Sequence, residues 1–145
     1  MSSDPRTIRS VAVTAEDAVS AYEASERSAA DPVLRVTPPF AGRMRARLHV
    51  PGDEPDDSGS IHLPPSDLFD PERLPEYPEP AETEAEIRDD PDLTYSTERH
   101  HDYHVRRVRE WREAATEAFA ETVEIDTPDG PHRIEVKVLG AGEFP

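Results

Sequence analysis

The sequence predicts an α+β fold: a mainly antiparallel sheet of five or six short strands, two helices packed on one face, and a long proline-rich acidic arm. Three observations carry that expectation. Residues 43–50 alternate apolar and polar with a period of two. The segment from Ser96 or Thr97 to about Ala120 repeats its apolar positions with a period near 3.6. Residues 123–138 read as two alternating strands around Thr127-Pro128-Asp129-Gly130, the pattern of a hairpin.

Along the chain, residues 1–6 read as a frayed tail, and Ile8, Val11 and Val13 mark a first strand. Thr14 stands before Ala15-Glu16-Asp17 as an N-cap, with acids where the helix dipole favours them. Ala15, Ala18, Val19 and Tyr22 then share one helix face. That helix is expected to end near Ala29-Ala30, because the residue before Pro32 is biased away from helix. Val33 to Val36 forms a second strand, and Pro38-Pro39 and Gly42 make the turn after it. In the next strand Met44, Ala46, Leu48 and Val50 face one way, while Arg43, Arg45, Arg47 and His49 face the other.

Residues 51–93 are rich in proline and acids and are inserted between this arginine strand and the long helix. They are expected to form an arm or long loop, pinned to the domain by Leu68, Phe69, Leu74 and Tyr77. Ile61-His62-Leu63 is a brief strand within it, Ser66 caps a helical turn, and Ala81 to Arg88 makes a short acidic helix. The long helix points His104, Val108, Trp111, Ala115, Ala118, Phe119 and Thr122 inward. Val123, Ile125, Ile134, Val136 and Val138 are the inward residues of the hairpin.

Composition narrows the function classes. The 145 residues are the size of one domain, 1–145. They carry 32 Asp plus Glu against 16 Lys plus Arg, a net charge of −16, and Lys137 is the only lysine. At about 1 M salt the screening length falls to about 3 Å, so repulsion among surface carboxylates costs little. Arginine also keeps bidentate geometry under screening. The balance fits a salt-adapted protein, which dialysis into low salt is expected to loosen, read as a lower melting temperature. With no cysteine, disulfides, thiolate metal sites and thiol nucleophiles are excluded. No basic-then-apolar leader precedes the first strand, and no apolar run approaches the roughly 20 residues of a membrane span. A cytoplasmic location is therefore expected.

The arginine strand is the main candidate site. Alternate residues of a strand stand about 7 Å apart on one face. That is close to the spacing of successive phosphates on an extended nucleic-acid strand. Arg43, Arg45, Arg47 and His49 form such a row, and Arg106 and Arg109 share an outward face of the long helix. Together they suggest a surface for an acidic protein or nucleic acid. The competing reading is internal: if this strand lies beside the hairpin, Arg45 and Arg47 pair across strands with Glu124, Asp126 and Glu135.

His100 and His104 stand four residues apart on one helix face, a spacing that can clamp a divalent metal, with Glu98 or an arm carboxylate as third ligand. The intervening residues lack the Glu of an HExxH base, and His104 also falls on the apolar stripe. No nucleophile elbow, phosphate loop or dinucleotide fingerprint is present, and no cofactor is expected.

The segment from Thr37 to Val50, with the acidic arm and the Trp111 helix, resembles the small uncharacterised proteins common in haloarchaea, and that resemblance brings no activity or site residue with it. The sequence thus points to a non-enzymatic interaction module. A small metal-assisted hydrolase built on His100 and His104 is one alternative. The other is a structural subunit, dimerising through the edge of the arginine strand.

Overall fold

The computed structural model describes residues 3–27, 30–52 and 58–140. Its first strand, β1 (Ser10–Thr14), runs without a break into helix α1 (Ala15–Arg27). Thr14 allows that junction: its Oγ1 accepts the Asp17 backbone N–H at 3.0 Å, satisfying a donor that a helix start otherwise leaves unpaired. Before β1, Asp4 caps a single 3-10 turn, Pro5–Thr7, where the sequence suggested a frayed tail.

Strands β2 (Val33–Val36), β3 (Arg43–Arg45), β4 (Arg47–His49) and β5 (Ile61–Leu63) follow α1. A 3-10 turn at Pro65–Leu68 leads on to helices α2 (Pro80–Asp89) and α3 (Thr97–Ala115), and strands β6 (Thr122–Thr127) and β7 (Gly130–Leu139) complete the order. No helix among the described residues is long and apolar enough to cross a membrane.

The class is α+β, but the expected single, mainly antiparallel sheet is two sheets. One has four strands in the order β3-β1-β7-β6, and the other has three in the order β4-β2-β5. In the larger sheet β1 runs parallel to both β3 and β7, and only the β6–β7 hairpin is antiparallel. The smaller sheet is antiparallel throughout. The difference has a physical cause. Parallel neighbours are joined by long crossovers rather than by turns, so the pairing of β1 with β7 leaves no local trace in either segment. Burial explains the choice: Val11 and Val13 are both 0% exposed, which suits a central strand.

The hairpin closes as the sequence predicts. Gly130 sits at φ 109°, a left-handed value that glycine adopts without a Cβ penalty. Val123, Ile125, Ile134 and Val136 turn into the core.

The arginine strand is interrupted at one residue. Ala46 is 0% exposed and its N–H donates to Ala12 O at 2.9 Å, continuing the β1 side. From Arg47 onward the chain pairs with β2 instead. A single residue thus carries the chain from one sheet to the other. The inward row expected at Met44, Ala46, Leu48 and Val50 holds only through Ala46. Leu48 is 40% and Val50 55% exposed, and β4 is a three-residue edge strand of the smaller sheet.

Residues 58–93 carry more structure than an arm. Besides β5 and α2 they bury Leu63, Leu68, Phe69 and Ile87, and Phe69 bridges to Phe119. Three α-helices result, where two were expected to cover the sheet. Helix α3 also stops sooner than its apolar repeat suggests. After Ala115 the chain tightens, with Ala118 N–H bonded to Ala115 O, and then Ala120 N–H donates to Leu68 O and Asp70 N–H to Ala118 O. Those pairings take the backbone groups a longer helix would need. The helix expected to run to about Ala29-Ala30 is described as far as Arg27, Ala30 stands outside it, and Ala29 lies outside the described residues, as do Met1 and Ser2.

The core joins both sheets to the helices. Trp111 on α3 stacks on Tyr22 of α1 at 5.3 Å and meets the Tyr77 ring edge-on at 4.9 Å. Its indole N–H donates to Pro75 O at 2.9 Å.

Candidate functional site

Arg43 and Arg45 point away from the core on β3, opposite the small side chains of Ser10 and Ala12. Arg47 follows on β4, in the smaller sheet, and all three are exposed. Among the described residues none of the three forms an ion pair. The hairpin carboxylates do not reach them in the ladder, because β1 lies between β3 and β7. Glu124 instead meets Arg133, 3.4 Å away, and Glu135 meets Lys137 at 3.0 Å. Cross-strand pairing therefore does not account for the arginine row.

The smaller sheet adds two residues that sequence reasoning passed over. Arg47 lies directly opposite Arg35 of β2, and Arg35 lies opposite His62 of β5. On the same face His49 stands opposite Val33. Strands β4 and β5 flank β2, so their backbones are about 9–10 Å apart, yet the His49 and His62 rings have centroids only 5.5 Å apart. The two imidazoles lean toward each other over β2. A local signal existed, since Arg35 and His62 are the single polar residues inside Val33–Val36 and Ile61–Leu63. The strand order that brings them together is non-local.

The remaining candidates lie elsewhere. Arg106 holds its guanidinium 5.6 Å from the Tyr103 ring, and Arg109 is exposed one turn on. Both belong to α3, which docks on α2, so they are not part of the strand surface.

His100 and His104 converge on the hydroxyl of Thr83, which is 0% exposed on α2. His100 Nε2 is 2.8 Å and His104 Nδ1 3.0 Å from Thr83 Oγ1. The nitrogens that would face a shared metal thus bind a side chain. No group of three or more His, Cys, Asp or Glu among the described residues has the arrangement to hold a metal ion. Around this bracket Tyr103 OH donates to Glu86 at 2.6 Å, Arg107 lies 3.6 Å from Glu86, and Arg88 stacks 3.8 Å over Tyr95. The histidine, Tyr103 and Arg107 contacts fasten α2 to α3, and the Arg88–Tyr95 stack ties α2 to the segment just before α3.

Burial holds the His104 pKa below its usual value, helped by the neighbouring charges of His100, His101 and Arg27. His104 also lines a cleft of about 450 Å³ with Glu26, Arg27, Tyr77 and Glu79. In the unfolded chain His104 takes a proton near pH 6.5, and in the fold only at lower pH. The unfolded state therefore binds more protons in that interval, so this contribution to stability is complete above about pH 6.5 and declines as pH falls. The melting temperature should drop from about pH 6.5 downward, and His104→Gln should flatten that decline. Parallel curves for both proteins would refute the assignment.

A second polar cluster is structural. Glu23 on α1 is only 5% exposed. It accepts Arg112 Nε at 2.5 Å, a second Arg112 N–H at 3.0 Å and the Tyr77 hydroxyl at 3.0 Å.

Fold and surface together define an α+β protein whose edge strands display exposed arginines that form no ion pair among the described residues. The chain belongs to the family described as Domain of unknown function (DUF8009), which matches residues 1–140. Neither the curated proteins nor the solved structures contain a match.

Proposed function

We propose that the protein is a non-enzymatic interaction module that recognises an anionic partner, an acidic protein or nucleic acid, through Arg43, Arg45, Arg47 and His49. The observation that carries this reading is the exposure of Arg43, Arg45 and Arg47 without ion pairs among the described residues, in a chain of net charge −16. The chain carries 32 Asp plus Glu, and among the described residues none of them pairs with these three arginines. In a salt-rich cytosol, counterion release alone gives little affinity, so the arginines act through bidentate contacts that survive screening.

A narrower role for these charges is to guard the sheet edges. Both β3 and β4 are edge strands, and charged edges resist strand addition from another copy. One variant separates the two roles. Arg43→Gln/Arg45→Gln/Arg47→Gln should stay folded and monomer-sized on a sizing column. It should lose at least about tenfold in affinity for a fluorescent polyanion, at about 1 kcal/mol for each exposed charge-assisted contact. A folded variant with unchanged polyanion affinity would remove the proposal, and new dimers at unchanged affinity would assign the arginines to edge protection.

A further inference from the structure

Beyond Arg43 and Arg45 on β3, Arg47 begins a two-dimensional platform on β4-β2-β5, and its chemistry selects among anionic partners. This inference rests on the proposed recognition role and names the ligand class. Arg47 and Arg35 are placed directly opposite one another on the outer face of the smaller sheet. His62 completes the cross-strand row, and the His49 ring leans over β2 to within 5.5 Å of the His62 ring. Two kinds of group are thus interleaved on one face: guanidinium forks and flat imidazole rings.

An acidic peptide makes use of only the first kind. Its carboxylates match guanidinium forks, but its aliphatic stems gain nothing particular from a pair of imidazoles. A single-stranded nucleic acid uses both, since its phosphates follow a row of cations and its bases stack on aromatic faces. The spacing agrees. On β3, Arg43 and Arg45 are alternate residues about 7 Å apart, near the phosphate repeat of an extended strand, and Arg47 opens β4 two residues further on. Duplex DNA fits less well, because its bases are already stacked and turned inward. We infer that this face binds single-stranded nucleic acid, with Arg43, Arg45 and Arg47 along the phosphodiester backbone, Arg35 beside them, and His49 and His62 against a base.

The test is a fluorescence-anisotropy titration of the full chain against three probes of equal charge. These are a single-stranded oligonucleotide of about 12 nucleotides, an abasic strand of the same length, and a poly-glutamate peptide. Salt is varied from about 0.1 to 1 M, because long-range repulsion from the acidic surface fades over that range. The base-bearing strand should bind best at every salt concentration. His49→Gln/His62→Gln should weaken it by about fivefold or more, the scale of one lost stacking contact, and leave the abasic strand unchanged. The triple arginine variant should weaken both strands and make the salt dependence shallower by about two log units per log unit of salt.

Poly-glutamate binding as tightly as the oligonucleotide, or equal binding of base-bearing and abasic strands, would overturn the nucleic-acid assignment. In either case the recognition role stands so long as the arginine variant loses affinity. Indifference of every probe to the arginine variant, or no binding by the wild type, overturns both. Far-ultraviolet circular dichroism and a thermal melt of each variant exclude misfolding as the cause.

Discussion

Trp111→Ala is expected to be among the most damaging single substitutions in the chain, lowering stability by about 3–5 kcal/mol. Trp111 is 3% exposed, and its indole is the piece against which α1 and the segment around Tyr77 both pack. Truncation removes the largest side chain of the core, ends two aromatic contacts, and leaves Pro75 O without its donor. These losses act together because Tyr22 and Tyr77 touch the same ring. In a domain of this size about 1 kcal/mol corresponds to about 2–4 °C, so the melting temperature should fall by about 10 °C or more. Trp111→Phe should recover part of that loss, since it keeps apolar volume but not the hydrogen bond to Pro75. A melting temperature within a few degrees of wild type for the alanine variant would show that the three segments do not depend on this ring.

Arg112→Ala should cost about 2–4 kcal/mol, a little below the range for breaking a fully buried ion pair because the arginine side chain is 37% exposed. What remains is Glu23, almost wholly covered, with the Tyr77 hydroxyl and Arg27 3.6 Å away as its compensation. The reverse change should be milder. Glu23→Gln leaves Arg112 able to turn toward water, and an amide still accepts from Tyr77, so a loss of about 1–2 kcal/mol is expected. The asymmetry is the informative part: it should appear in chemical denaturation as a larger midpoint shift for the arginine variant. Equal shifts would mean that Glu23 is solvated in the fold.

Neither substitution touches the strand arginines, and the contrast matters for function. Arg43, Arg45 and Arg47 stand outside both clusters, so changing them should affect stability by no more than about 0.5 kcal/mol each. A recognition surface should behave in that way: dispensable for folding and required for binding.

Much of this was legible in the sequence, and the legible parts are local. Helix α3 is written in the spacing of Val108, Trp111 and Ala115, and the hairpin in the alternation of Val123, Ile125, Ile134 and Val136 around Gly130. The outward placement of Arg43 and Arg45 follows from the pleat of β3. Non-local choices were hidden. Nothing in Ser10–Thr14 says that it will lie between β3 and β7, and that placement is what keeps the hairpin carboxylates away from the arginines. Ala46 looks like one more apolar residue of a single strand, yet it is where the chain passes between sheets. Thr83 carries no sign that two histidines will meet on its hydroxyl, since the short acidic helix that contains it does not show which element it will pack on. Arg35 and His62 were visible as lone polar residues among apolar neighbours, but only strand order makes them partners of Arg47.

The proposed recognition surface is most directly tested by mapping backbone amide shifts on titrating the single-stranded oligonucleotide into labelled protein. Perturbations are predicted at residues 33–36, 43–49 and 61–63, with α3 left silent. Shifts gathered instead around His100–Arg112, or a spectrum unchanged at saturating oligonucleotide, would contradict it.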